Sequence, residues 1–272
     1  LGHSDAQGAG LFWVSPSDCS QGGDPNNGGY EAVASVSANA NGAVYTVNAP
    51  PWGPTYEIHL MTGGSNYSKL ASIPNISGVL MTLDATNVYW LDPTAGTLSK
   101  APLSGSGSVT QLTSIGGAGG ITVDSTYVYW GDASSVRRIH LTGGSADTLV
   151  SGIGSPGFLS VDATNLYYTA VSAALYRLPL GTTTPTELLP SQGTFKYPAI
   201  GPKTFYWSTG TVIHAVALTG GAWGTSTASP IRTLYTAPSG DTLVGLGVVG
   251  NSLYFVDFGN SGPINLMKLT PN

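Results

Sequence analysis

Charge is the scarcest property of this chain. Only 8% of its 272 residues are Asp, Glu, Lys or Arg, against about 25% in an average soluble protein. The nine Lys and Arg form no run, and the net charge is −5. No basic stripe exists to follow a phosphate backbone, which argues against nucleic acid and anionic membrane surfaces as partners. A single cysteine, Cys19, excludes an internal disulfide and a multi-cysteine metal knot. No apolar run approaches the roughly 20 residues that cross a bilayer as a helix, so membrane insertion is not expected. There is no Gly-x-Ser-x-Gly elbow with partners, no His-Glu-x-x-His, no phosphate loop and no haem-attachment motif. The opening Leu-Gly-His-Ser-Asp-Ala-Gln-Gly lacks the charged and apolar regions of a signal peptide. With Leu1 in place of Met, the expectation is a mature chain after signal removal, secreted or otherwise extracytoplasmic (periplasm or cell surface).

What the chain has is a repeat. Asp124-Ser125-Thr126-Tyr127-Val128-Tyr129-Trp130-Gly131-Asp132 returns with substitutions at Asp84 to Asp92, Asp162 to Tyr168, Gly201 to Trp207 and Val249 to Asp257, and in degraded form at Gly42 to Thr46. Its first aromatics, Tyr45, Tyr89, Tyr129, Tyr167, Tyr206 and Tyr254, lie 44, 40, 38, 39 and 48 residues apart. A period near 40 built on an aromatic strand points to propeller blades. The 41% hydrophobic content excludes disorder, and 38 Gly among many Ser, Thr and Asn fit a turn-dense all-β domain.

Residues 119 to 151 parse into four short strands separated by Asp-Ser-Thr, Gly-Asp-Ala-Ser-Ser and Thr-Gly-Gly-Ser turns. First strands are expected at Val33 to Val36, Val79 to Leu83, Gly119 to Val123, Gly157 to Val161, Tyr197 to Ile200 and Val244 to Val248. That predicts a single domain over 1–272, an all-β, six-bladed β-propeller of four-stranded antiparallel blades. The chain stops after a third strand at Ile264 to Leu269, so residues 10 to 15 are expected to complete the last blade and close the ring. In this topology the turns from strand two to strand three, and the links between blades, share one end. Trp52, Asp92, Asp132, Lys196, Tyr197, Asp241 and Asp257 fall on that end, and Trp223 on the opposite one.

Tyr89-Trp90-Leu91-Asp92 and Tyr129-Trp130-Gly131-Asp132 resemble the repeat of YWTD-type six-bladed propellers, and the spacing from Arg138 to Gly143 fits as well. The likeness covers roughly residues 78 to 269, with the Asp lost at Tyr168-Thr169-Ala170 and Trp207-Ser208-Thr209. The resemblance implies an extracytoplasmic binding scaffold and no particular reaction. Metal-dependent hydrolases on six-bladed propellers share the gross architecture and hold Ca²⁺ with inward Asp, Asn and Glu; here only Glu31 and Asp241 stand at comparable positions.

His59, His140 and His214 are potential metal ligands, yet all three fall in third strands of different blades. His140 shares its slot with Pro102, Pro179, Ala217 and Lys268, which favours a structural role. Asp84, Asp124 and Asp162 close first strands and read as Asx-turn caps. For Asp92, Asp132 and Asp257 a turn or interblade hydrogen bond stands beside a carboxylate ring that draws a cation. Asp24-Pro25-Asn26-Asn27-Gly28-Gly29-Tyr30-Glu31 has the flavour of a calcium loop without its full spacing. No catalytic residue, metal ligand or cofactor is assigned, and a structural Ca²⁺ is the one ion left open. The loop aromatics Trp52, Tyr197 and Trp223 suit sugar stacking or partner anchoring. The expected function is a binding or interaction module for a carbohydrate or protein ligand, at Trp52, Asp92, Asp132, Lys196, Tyr197 and Asp241. A cation-dependent hydrolase or lyase at the channel mouth and a structural subunit of an extracellular assembly are the alternatives.

Overall fold

The computed structural model describes residues 2–5, 8–11, 13–14, 21–22, 36–39, 42–48, 56–63, 66–73 and 79–271, apart from 106, 155, 171–173, 194, 223, 227, 250 and 260–263. The described residues form strands and turns, with no helix among them. Blade one comprises Val36–Asn39, Gly42–Asn48, Tyr56–Gly63 and Asn66–Ile73; blade two Leu80–Leu83, Asn87–Asp92, Thr97–Pro102 and Thr110–Ser114. Blade three comprises Ile121–Val123, Tyr127–Asp132, Ser135–His140 and Asp147–Ser151; blade four Leu159–Val161, Asn165–Thr169, Leu175–Pro179 and Thr186–Leu189. Blade five comprises Lys196–Ile200, Thr204–Ser208, Val212–Ala217 and Arg232–Thr236; blade six Thr242–Val249, Ser252–Phe258 and Ile264–Leu269. Each sheet is ordered as its strands follow in the chain, and the fold is a six-bladed β-propeller.

Boundaries follow the sequence reading closely, with two shifts. The first strand of blade one runs Val36–Asn39, where Val33 to Val36 was expected and 33–35 lie outside the described residues. In blade six Lys268 faces Tyr254, so the slot of His140 falls to Thr270, whose hydroxyl meets that of Ser252 at 3.1 Å. The proposed closing strand at residues 10 to 15 falls partly outside the described residues, and Trp13–Val14 is described in a pairing with Gln21–Gly22. By compactness the chain divides into two units, Leu1–Ala163 and Thr164–Asn272.

Within the first unit, second strands are buried on both faces. Val88, Tyr89, Trp90, Leu91 and Asp92 are all buried, as are Val128 to Asp132. Trp130 packs with Tyr89, Leu91 and Leu98 of the preceding blade, while Trp90 joins Val44, Ile58 and Leu60 of blade one. The small residue of Tyr-Trp-Gly-Asp has a steric cause: a Cβ on Gly131 would lie 2.6 Å from the Pro156 carbonyl oxygen. That carbonyl instead accepts from Gly120 N at 3.0 Å, stitching two blades through backbone alone. In the second unit Tyr206, Ile213 and Ala215 pack with Leu243, Leu253 and Phe255 of the next blade.

The first hairpin carries its own lock. Asp84 Oδ1 accepts from Thr86 N at 2.6 Å and Asn87 N at 2.7 Å, while Oδ2 accepts from the Tyr89 hydroxyl at 2.7 Å. Asp124 repeats this with Thr126 N, Tyr127 N and the Tyr129 hydroxyl, at 2.7, 2.7 and 2.8 Å. The Asx-turn expectation thus holds for both, with a tyrosine five residues on that had not been expected as a partner. The basic residue across from the first tyrosine is a second tie. Lys100 donates to the Leu141 carbonyl at 2.6 Å in the first unit. In the second, Arg177 donates to the carbonyls of Leu218 and Gly220 at 3.0 and 3.3 Å.

Two outcomes follow from the lock. Asp124→Ala leaves the buried Tyr129 hydroxyl and two amides short of an acceptor, at a cost of roughly 2–3 kcal/mol, whereas Tyr129→Phe costs less. In a denaturant-melt cycle the double variant is expected to lose less than the sum of the singles; strict additivity counts against the lock. Burial, and then the aspartate bond, push the Tyr89 and Tyr129 phenols well above their ordinary value; burial does the same for Tyr168. A raised folded value leaves stability intact below the ordinary phenol pKa of about 10 and removes it as pH climbs from there through the folded value. Absorbance at 295 nm is therefore expected to show these phenols ionising only as circular dichroism reports unfolding; ionisation of every tyrosine in one step with the fold retained contradicts this.

Candidate functional site

The departure from repeat geometry sits at the start of blade five. Lys196 pairs with Ser208, yet Ala199 pairs with Tyr206, so one extra residue is bulged from the strand. The bulge holds Tyr197 at φ +49°, the only non-glycine with positive φ among the described residues. An aromatic side chain is strained there, the more so because Pro198 follows and disfavours helical conformations before it. Such strain costs about 1–3 kcal/mol. Phe195 fixes one flank, edge-on to Phe205 and to Trp207, each at 5.4 Å. Tyr197 itself is turned outward, 43% exposed.

Lys196 lies over Gly210, where an added Cβ would come within 3.2 Å of its Nζ. Gly210 adopts φ +107° and its carbonyl accepts from Leu243 N at 2.7 Å. Asp241 stands two residues before Leu243, closing a turn in which its amide donates to the Pro238 carbonyl at 3.1 Å. Lys196 and Tyr197, at the start of blade five, and Asp241, just before the first strand of blade six, therefore lie toward the same end of the second unit. Charge is unevenly committed there. Of the nine Lys and Arg, Lys69 and Arg138 are ion-paired, Arg137 binds Asp132, Lys100 and Arg177 clasp carbonyls, and Lys268 lies over Tyr254. Arg232 is engaged as well. Among the described residues only the side chains of Lys196 and Lys203 have no such partner, and Lys203 belongs to the turn at the other end of its blade.

Asp92 and Asp132 belong to the first unit, and both are spent on backbone. Asp92, 2% exposed, accepts from Thr94 N and Ala95 N at 2.9 and 2.8 Å. Asp132, 7% exposed, accepts from Gly116 N at 2.7 Å, Ala133 N at 2.9 Å and Arg137 Nη1 at 3.3 Å. These are the turn and interblade bonds of the first of the two sequence readings. In the second unit Asp257 accepts from the Tyr235 hydroxyl at 2.6 Å, and that bond, ahead of burial, pushes the Tyr235 phenol up to about 12. Arg137 and Tyr235 were not singled out in the sequence; the available signal was position, since Arg137 stands directly across from Trp130. Trp52, Trp223, Cys19 and the Asp24 to Glu31 loop lie outside the described residues.

His59, His140 and His214 each have a local partner. His59 meets Glu57 at 2.8 Å, His140 packs edge-on to Tyr127 at 5.7 Å, and His214 stacks on Trp207 at 5.3 Å, where burial lowers its pKa. No group of three or more His, Cys, Asp or Glu forms a metal cluster among the described residues.

No protein-family model matches the chain, and no curated protein matches it. Solved structures do. The crystal structure of a nidogen/laminin complex matches at TM-score 0.57 and 14% identity, over 80% of this chain and 88% of that one. The likeness is one of fold. It bears out the resemblance to YWTD-type propellers at that level. The computationally designed Ika8 protein matches at TM-score 0.61 and 12% identity over 98% of this chain and 79% of that one. Hsv2 of Kluyvelomyces marxianus matches at 0.57 and 10%, over 84% and 70%.

The strain at Tyr197 has a measurable sign. Glycine accepts a positive φ that alanine does not, so Tyr197→Gly is expected to be about 1 kcal/mol more stable than Tyr197→Ala, or roughly 2–4 °C in Tm for a chain of this size. Equal melting points for the two variants would show the bulge to be relaxed.

Proposed function

We propose that the chain is an extracytoplasmic interaction module that binds a protein partner through the Lys196–Tyr197 bulge, with Asp241 on the rim. The observation that carries this reading is Tyr197: an aromatic held outward at φ +49° beside a cation with no partner among the described residues. Tyrosine supplies a large, rigid contact area with a polar tip and is enriched among the residues that dominate binding energy. The fold supports the reading as context, since a structural neighbour is a nidogen/laminin complex. Low surface charge also suits recognition by shape and a few anchors more than by long-range steering.

The test is a binding screen of the intact chain against arrays of extracellular protein domains and of glycans, with Tyr197→Ala and Lys196→Ala run beside the wild type. A protein hit that Tyr197→Ala weakens by about 30-fold or more, the size of a hot-spot loss near 2 kcal/mol, supports the proposal. Hits confined to glycans would replace the protein partner by a carbohydrate at the same anchor. A ligand bound equally by all three proteins would move the site elsewhere.

A further inference from the structure

Blade five repeats the pattern of blade three with one exchange that alters its chemistry. In blade three Trp130 lies across from Arg137, whose guanidinium is met by Asp132. In blade five Trp207 lies across from His214, and the place of Asp132 falls to Thr209, whose amide donates to the Val212 carbonyl. A permanent cation with a counter-charge is thus replaced by a titratable ring. His214 Nδ1 is buried with no hydrogen-bond partner, and so is Trp207 Nε1. The two rings stack at 5.3 Å. Trp207 in turn stacks on Phe205 at 5.6 Å and meets Phe195 edge-on at 5.4 Å, and Phe195 packs on Phe205 at 5.4 Å. Lys196 and Tyr197 follow Phe195 directly. One set of aromatic rings therefore runs from His214 to the strained bulge.

The charged groups around this ring are cations. Its own strand, Val212–Ala217, carries no other titratable group, and on the neighbouring strand Thr233 lies across from it, with Arg232 across from Ala215. On the other side Lys196 pairs with Ser208, the residue after Trp207. The face of blade four turned to blade five carries Tyr167 and Arg177, and Arg177 donates to the Leu218 and Gly220 carbonyls. Glu187 accepts from the Tyr176 hydroxyl on the opposite face of blade four. An imidazolium stacked on Trp207 gains cation–π attraction, but burial lowers the His214 pKa, so desolvation is the larger effect. We propose that His214 is an acid-sensitive brace for the Lys196–Tyr197 bulge: the neutral ring holds Trp207 and Phe195 in place, and its protonation loosens both and frees the bulge. A folded pKa below the ordinary value of about 6.5 leaves the stabilisation complete above that value and removes it as pH falls from there through the folded value. A protein held by Tyr197 is then released in acid, a form of regulation that rests on the reading of that bulge as the anchor.

The experiment uses the full chain without any partner, so its outcome is separate from that of the binding screen. Hydrogen exchange over residues 195–200, read by mass spectrometry and corrected for the intrinsic effect of pH, is compared between about pH 7 and about pH 5, beside melting curves at both. In the wild type, exchange of this segment is expected to rise severalfold in acid and Tm to fall. His214→Phe keeps a ring on Trp207 that does not titrate; it is expected to remove most of both changes, and His214→Gln to do the same should the phenylalanine variant fail to fold. Equal exchange of 195–200 at the two pH values, or an acid response that persists in the His214 variants, would overturn the inference. A response in Tm alone, with 195–200 unchanged, does so as well, because it makes His214 a group of general stability with no hold on the bulge.

Discussion

A strand packed on both faces leaves no side for an unmatched polar group, and the second strands of blades two to five are such strands. Tyr129 and Trp130 point to opposite faces and are both buried, so every polar atom they bring inward needs an answer on the spot. The Tyr129 hydroxyl is answered by Asp124, which at the same time caps its own hairpin. Lys100 and Arg177, each across from a first tyrosine, send their charge along the strand surface to backbone carbonyls of the following blade. Gly131 removes a side chain where the Pro156 carbonyl must pass. Each position of the repeat is therefore a consequence of burying one aromatic ladder, which is why so uncharged a chain can form so regular a structure.

That dependence explains what was readable in advance. Aromatic spacing gave the blade period, and Asp84 and Asp124 announced their turns, because both signals are local and recur. The Tyr89 to Asp84 bond was equally local, five residues apart in each copy, and only its chemistry went unread. The bulge at Tyr197 was not readable. Phe195-Lys196-Tyr197 stood out as a departure, but the positive φ of Tyr197 arises from pairing Lys196 with Ser208 and Ala199 with Tyr206, a tertiary register with no signature in sequence. Asp92, Asp132 and Asp257 looked equivalent in sequence for the same reason, since which donors reach a carboxylate depends on where its ladder ends.

Strain and freedom coincide at the start of blade five. The chain holds an aromatic in a costly conformation and packs Phe195 against Phe205 and Trp207 beside it, while the neighbouring Lys196 is left outside the ion pairs and carbonyl clasps that occupy most other cations. Folding alone gains nothing from this arrangement, because a regular strand would satisfy the same backbone. A preorganised exposed tyrosine makes sense as an anchor whose ordering cost is met before a partner arrives.

The aspartates show how a repeat can change role without changing residue. In blade three the carboxylate is neutralised by Arg137 across the sheet; in blade six the residue across from Phe255 is Met267, which offers no charge. There the ladder continues one pair past the aspartate, Phe258 opposite Ile264. In that blade the carboxylate is met instead by the Tyr235 hydroxyl. Among the described residues the second unit thus carries two small departures from the repeat, a bulge in one strand and an extra pair in another.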